Sequence, residues 1–285
     1  MTDRGVASNP APPLLPPQDP TLETRPVPRE RLLPIQSFGP GAAPDIHSTV
    51  QPIRDLQTRV NSQSYNDKYG AVIQLLQTVE RNLHHGPDVS GSGLGEPTWG
   101  FYVFVTAYSA EAREKLPSAL KIMVEISRRA FSIEAHPDFA AEAYKRFKLD
   151  VIQDKEALGD ASDDRIRNEF DSLTRALGLW DDAEHCPDGP VRPGRYVVCL
   201  VLDEAQILKL ASLSFPEDPN NDYDALQDIG VKVVDRLWRR PANGRGSYPG
   251  FDICPVNSLA QLYHHTSAGD PGAIMDMYPL YEEFY

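Results

Sequence analysis

The sequence predicts an α+β domain with a ferredoxin-like sheet of the split βαβ type, helical insertions, and a disordered Pro-rich N-terminal arm. Three observations predict it. Arg195-Tyr-Val-Val-Cys-Leu-Val-Leu-Asp203 is an apolar run without polar alternation, as in a strand covered on both faces, and it leads straight into a helix. Trp99–Thr106 repeats that plan, an aromatic and β-branched run followed by a helix. Twelve of the 26 prolines lie in residues 1–52, among few aromatics and no apolar period. Such a segment buries too little apolar area to offset the entropy of ordering, so residues 1–60 are expected to be disordered. Residues 61–265 then form the core and 266–285 an acidic, Tyr-rich tail.

The elements follow in order. Val72, Leu76, Val79 and Leu83 recur at helical spacing within Asp67–His85, and Gly86-Pro87 ends that helix. Ser90–Gly95 reads as a link, and Trp99–Thr106 as the first strand. Pro117 suits the first turn of a helix reaching Phe131, because its missing N–H has no partner there anyway. Asp138 is the expected cap of a helix carrying Phe139, Ala143 and Phe147. Leu149–Ile152 fits a short strand or a helix end. Ser162 or Asp163 opens a helix with Ile166, Phe170, Leu173 and Leu177 on one face. Tyr196–Leu202 is the central strand, with Tyr196, Val198 and Leu200 on one face and Val197, Cys199 and Val201 on the other. Asp203 caps the next helix, and Gln206 stands at the capping-box position. Val231–Val234 is a third strand, and Ser258–His265 a last helical stretch. The alternation matches the split βαβ layout; a small doubly wound sheet is the rival.

Charge narrows the function. Net charge is −13, and residues 1–60 carry six basic and six acidic residues, so the whole excess belongs to the rest of the chain. An acidic body repels phosphate backbones, so nucleic acid is not an expected partner. Three cysteines do not make a secreted disulfide framework. No apolar leader and no long apolar run is present, so neither a signal peptide nor a membrane span is expected, and the expected location is the cytoplasm or nucleus.

Several segments, in order, carry a resemblance: Trp99-Gly-Phe-Tyr with Thr106 and Tyr108, Leu149–Asp154, Leu158–Ser162, Arg167, Phe170, Arg195–Glu204 and Val231–Asp235. Over about residues 99–240 the chain resembles a group of proteins from filamentous ascomycete fungi to which no activity is attached. Gly159-Asp160 departs from it, since the family order would be reversed. The resemblance implies fungal origin and a single core domain, and transfers no function.

No motif assigns a chemistry. Asp218–Asp224 spaces oxygen side chains like a calcium loop, but Tyr223 and Ile229 stand where glycine and glutamate are needed. Gly91, Gly93 and Gly95 follow a helix and precede a strand, the reverse of a dinucleotide fingerprint. His185, Cys186, Cys254 and His264 match no zinc spacing, and Asp181, Asp182 and Glu184 would raise the Cys186 thiol. No cofactor and no metal is expected. The candidate ligand residues are Tyr108, Asp203 and Asp235, each closing a strand, where side chains can converge on a ligand. The expected function is a non-enzymatic protein-interaction or regulatory module. Its partner would dock through the arm, where Pro13-Leu-Leu-Pro16 is a P-x-x-P match, or through the tail, unless that tail folds back as an aromatic plug. The alternative is an enzyme or small-molecule binder with a pocket beside the sheet.

Overall fold

The structure, a computed structural model, describes residues 33–43, 70–85, 98–177, 193–215, 229–238 and 248–267, with Ile53, Asp55 and Thr58. Among these residues six strands form one open mixed sheet: β1 (Ile35–Phe38), β2 (Trp99–Val105), β3 (Phe147–Ile152), β4 (Val198–Leu202), β5 (Gly230–Asp235) and β6 (Phe251–Pro255). Their spatial order is β1-β3-β2-β4-β5-β6. The helices are α1 (Gly70–His85), α2 (Ala110–Glu134), α3 (Pro137–Lys145), α4 (Lys155–Leu158), α5 (Asp163–Ala176), α6 (Glu204–Ala211) and α7 (Leu259–Ser267). β2 runs parallel to both of its neighbours, β3 and β4. The flanking strands β1, β5 and β6 each pair antiparallel.

Every residue of β2, β3 and β4 is buried, because helices cover both faces. The first face packs Phe101, Val103, Leu149 and Leu200 against α1, α2, α3, α6 and α7. The second packs Phe104, Ile152, Cys199 and Val201 against α4 and α5, through Leu158, Ile166, Phe170 and Leu173. The chain crosses from β2 to β3 over the first face. It then returns past β2 to β4 over the second, so both crossovers have the same hand. A split βαβ needs a strand between its parallel pair, whereas Trp99–Phe104 bonds directly to Phe147–Ile152. The coarse α+β expectation therefore holds, and the centre of the sheet has the doubly wound order instead of the ferredoxin-like one.

Other differences have local causes. The expected arm contributes β1 and the 3₁₀ turn Pro40–Ala42, and Leu33 and Ile53 are buried; residues 1–32 and most of 44–60 lie outside the described residues. A four-residue edge strand is too short to show a period. Helix α2 starts at a Ser109 cap, so Pro117 lies inside it, on its exposed side. His136, not Asp138, caps α3, with Pro137 at its first position. Gly194–Tyr196 is a 3₁₀ turn ahead of β4. That turn puts Tyr196 on the second face with Cys199, and Val197 on the first with Val198 and Leu200. Strand β6 had no visible signal. The Pro13–Pro17, Ser90–Gly95, His185-Cys186, Asp218–Asp224 and 268–285 segments lie outside the described residues.

Candidate functional site

An open α/β sheet keeps its ligand crevice beyond the carboxyl ends of its parallel strands, where the strand order reverses. Here that point lies between β2 and β4. Thr106–Ser109 leaves β2 there, and Asp203-Glu204 leaves β4. Tyr108 and Asp203 are thus at one edge, as expected, but both are occupied by local structure. The Tyr108 hydroxyl donates to Val105 O (2.9 Å) and accepts from Asp154 N (2.7 Å). Burial pushes that phenol up to about 12, against the pull of the Asp154 N–H. Asp203 Oδ1 accepts from Gln206 N at 2.8 Å, and Gln206 Oε1 accepts from Asp203 N at 3.3 Å, a complete capping box on α6.

The loops across the reversal point are bonded to each other. Thr106 donates its N–H (3.0 Å) and its hydroxyl (3.4 Å) to Leu202 O. Ser109 Oγ caps α2 and donates to Glu204 Oε1 at 2.7 Å. Asp160 N–H donates to Thr106 O at 3.1 Å. Asp160 is left-handed, with φ 53°, and a Cβ at Gly159 would meet Lys155 O at 2.6 Å. Glycine at 159 therefore keeps the close approach free of a side chain, and the left-handed position falls to Asp160, a residue type that tolerates it. Glu111, Glu156, Asp160, Asp164, Asp203 and Glu204 are exposed along this edge with Arg113, Lys155 and Arg165 among them, so acids outnumber bases there and disfavour anionic ligands.

Asp235 is not with the other two. It pairs with Val198 at the start of β4, whereas Asp203 follows the end of that strand. Five extended residues separate them, roughly 16 Å. Asp235 Oδ1 accepts from Leu237 N (2.7 Å) and Trp238 N (3.2 Å), shaping the turn after β5. Burial pushes its carboxyl up, against those two N–H groups and the nearby Arg167 and Arg236. Arg167 reaches over from α5, donating Nε to Asp235 O (2.8 Å) and Nη2 to Gly250 O (3.1 Å), beneath the Trp238 ring. Arg236 donates to Tyr196 O at 2.7 Å and to Asp171 Oδ1 at 3.0 Å.

A buried charge group that sequence reasoning missed sits on the second face. Asp150 Oδ2 faces Lys148 Nζ at 3.6 Å and accepts from Arg195 Nη2, while its Oδ1 accepts from Ser37 Oγ at 2.6 Å. Arg195 lies over the Tyr102 ring, 5.2 Å from its centroid. Lys148, Asp150 and Arg195 are all buried. Beside them Gly100 takes φ 130°, and a Cβ there would collide with Lys148 O. The signal was present in Phe147-Lys-Leu-Asp-Val-Ile152: two charges at i and i+2 of an apolar strand share one face.

Cys199 and Cys254 are buried, and burial pushes the Cys199 thiol strongly up, so it stays protonated and unreactive. Among the described residues no group of three or more His, Cys, Asp or Glu side chains is placed to hold a metal ion. No described helix is long and apolar enough to cross a membrane. Comparison with known proteins finds no matching family model, no matching curated protein and no matching solved structure.

Proposed function

We propose that this chain is a non-catalytic protein-interaction module. One observation carries the reading: the crevice at the β2/β4 reversal is closed by bonds between its own loops. Ser109 to Glu204 spans it, Thr106 to Leu202 extends the β2/β4 ladder into it, Asp160 to Thr106 ties the turn after α4 to the end of β2, and the Tyr108 hydroxyl is spent between Val105 and Asp154. A hydroxyl that already donates and accepts internally is not available to move a substrate proton. The excess of exposed acids over bases along the same edge favours a protein over a nucleic-acid partner. A second reading, a small-molecule binder or enzyme with a pocket beside the sheet, has the buried Lys148–Asp150–Arg195 group in its favour.

Thermal melts of the full chain against nucleotides, dinucleotides, sugar phosphates, amino acids and divalent metals test the proposal. A ligand at a hundred times its Kd adds about 2.7 kcal/mol, a rise of roughly 5–10 °C for a domain of this size. An interaction module gives no such rise with any of them. A rise that Tyr108→Phe abolishes places a ligand at the reversal point. One that Asp150→Asn abolishes places it at the buried charge group. Either result contradicts the proposal.

A further inference from the structure

Residues 33–43 lie on the fold as a bound peptide lies in a groove. Strand β1 adds antiparallel to the edge of β3, from Ile35 opposite Ile152 to Phe38 opposite Leu149. Ile35, Gln36 and Ser37 remain exposed, so the strand is held at separate anchor points. Leu33 enters the second-face core and Phe38 packs against the first. Ser37 Oγ donates to Asp150 Oδ1 at 2.6 Å across 113 residues of sequence. Past the strand the chain runs hard against the backbone of β3. A Cβ at Gly39, where φ is 111°, would stand 2.9 Å from Phe147 O, and one at Gly41 would stand 2.6 Å from Arg146 O. Strand addition works in this way: main-chain bonds supply affinity, and alternate side-chain pockets supply selection.

We propose that the outer edge of β3 is a peptide-docking groove, occupied in cis by Leu33–Ala43 and open to an extended partner segment bearing a hydroxyl side chain, an aromatic and Gly-x-Gly in that order. It rests on the interaction-module reading and names the site that reading needs. The β3 edge offers its N–H and C=O groups to any extended chain. Asp150 selects the hydroxyl, because a buried carboxylate that loses a donor keeps its desolvation cost. Arg146 O and Phe147 O admit only glycine. A second copy is a poorer occupant: exchanging identical segments makes the same bonds twice and loses association entropy. The segment competes from within the same chain, so it restrains its own groove until displaced.

The test uses a fluorescent peptide of residues 33–43 and the full chain, wild type and Gly41→Val. The valine expels the cis segment and leaves the groove intact. The peptide is expected to bind Gly41→Val at least tenfold more tightly than wild type. Peptides carrying Ser37→Ala or Gly41→Val are expected to bind at least tenfold more weakly than the parent peptide. Equal binding of all three peptides, or no binding to a folded Gly41→Val chain, overturns the proposal. If that chain does not fold, the wild type decides. Millimolar peptide should speed hydrogen exchange of its own Ile35–Phe38 amides several-fold, and unchanged exchange overturns the proposal. Concentration-dependent dimers formed through segment 33–43 overturn it as well, assigning the groove to a second copy. A failed groove leaves the interaction-module reading standing, because the small-molecule melts test that reading independently.

Discussion

Tyr108 shows how a residue placed for chemistry is taken over by architecture. Its hydroxyl joins the end of β2 to the loop after β3, between Val105 O and Asp154 N. Tyr108→Phe strands a partly buried N–H and is expected to lower unfolding free energy by about 1–2 kcal/mol, read by urea denaturation. The pH dependence has a fixed sign. The folded phenol titrates at about 12 and the unfolded one near 10. Between these values the unfolded chain binds fewer protons, so stability falls as pH rises. The wild-type advantage over Tyr108→Phe is therefore full below pH 10 and shrinks toward pH 12. The Asp203 cap was legible because its partner Gln206 is three residues away. Tyr108's partner is 46 residues away, and Ser37's is 113, separations at which a side chain alone carries no signal.

At the scale of elements, Arg167 is the fastener. It is buried on α5 and holds the main chain at the ends of β5 and β6 through Asp235 O and Gly250 O. A Cβ at Gly250 would stand 2.5 Å from the Trp238 ring and 2.7 Å from Arg167 Nη2, so the glycine is part of the fastening. Arg167→Met keeps the apolar stem but removes two charged donors from buried carbonyls. It is expected to cost roughly 2–4 kcal/mol, read by guanidinium unfolding of both chains, with an unchanged midpoint refuting the role. Strands β2 and β4 were legible because covering both faces leaves an unbroken apolar run. Strands β1 and β6 were not: they are edge strands of four and five residues, largely half-buried or exposed, and lack both an unbroken run and a clean alternation.

For the whole molecule, the burial pattern of the strands reports that both faces are covered and says nothing of strand order. That order depends on which face each crossover takes, and here α4 and α5 carry the chain past β2 to its far side. The candidate site was legible to the same depth. Tyr108 and Asp203 do share an edge, while Asp235 closes a strand of opposite direction and so lies at the other. What the reversal point does depends on whether its loops stay bonded, and hydrogen exchange measures that directly. Thr106 N–H is bonded to Leu202 O at 3.0 Å, and Asp160 N–H to Thr106 O at 3.1 Å. A closed crevice requires both amides to exchange as slowly as those within β2 and β4, through the same global opening. Exchange of either amide at the rate of an unprotected loop would show a crevice that opens to ligands, and would contradict a non-catalytic role.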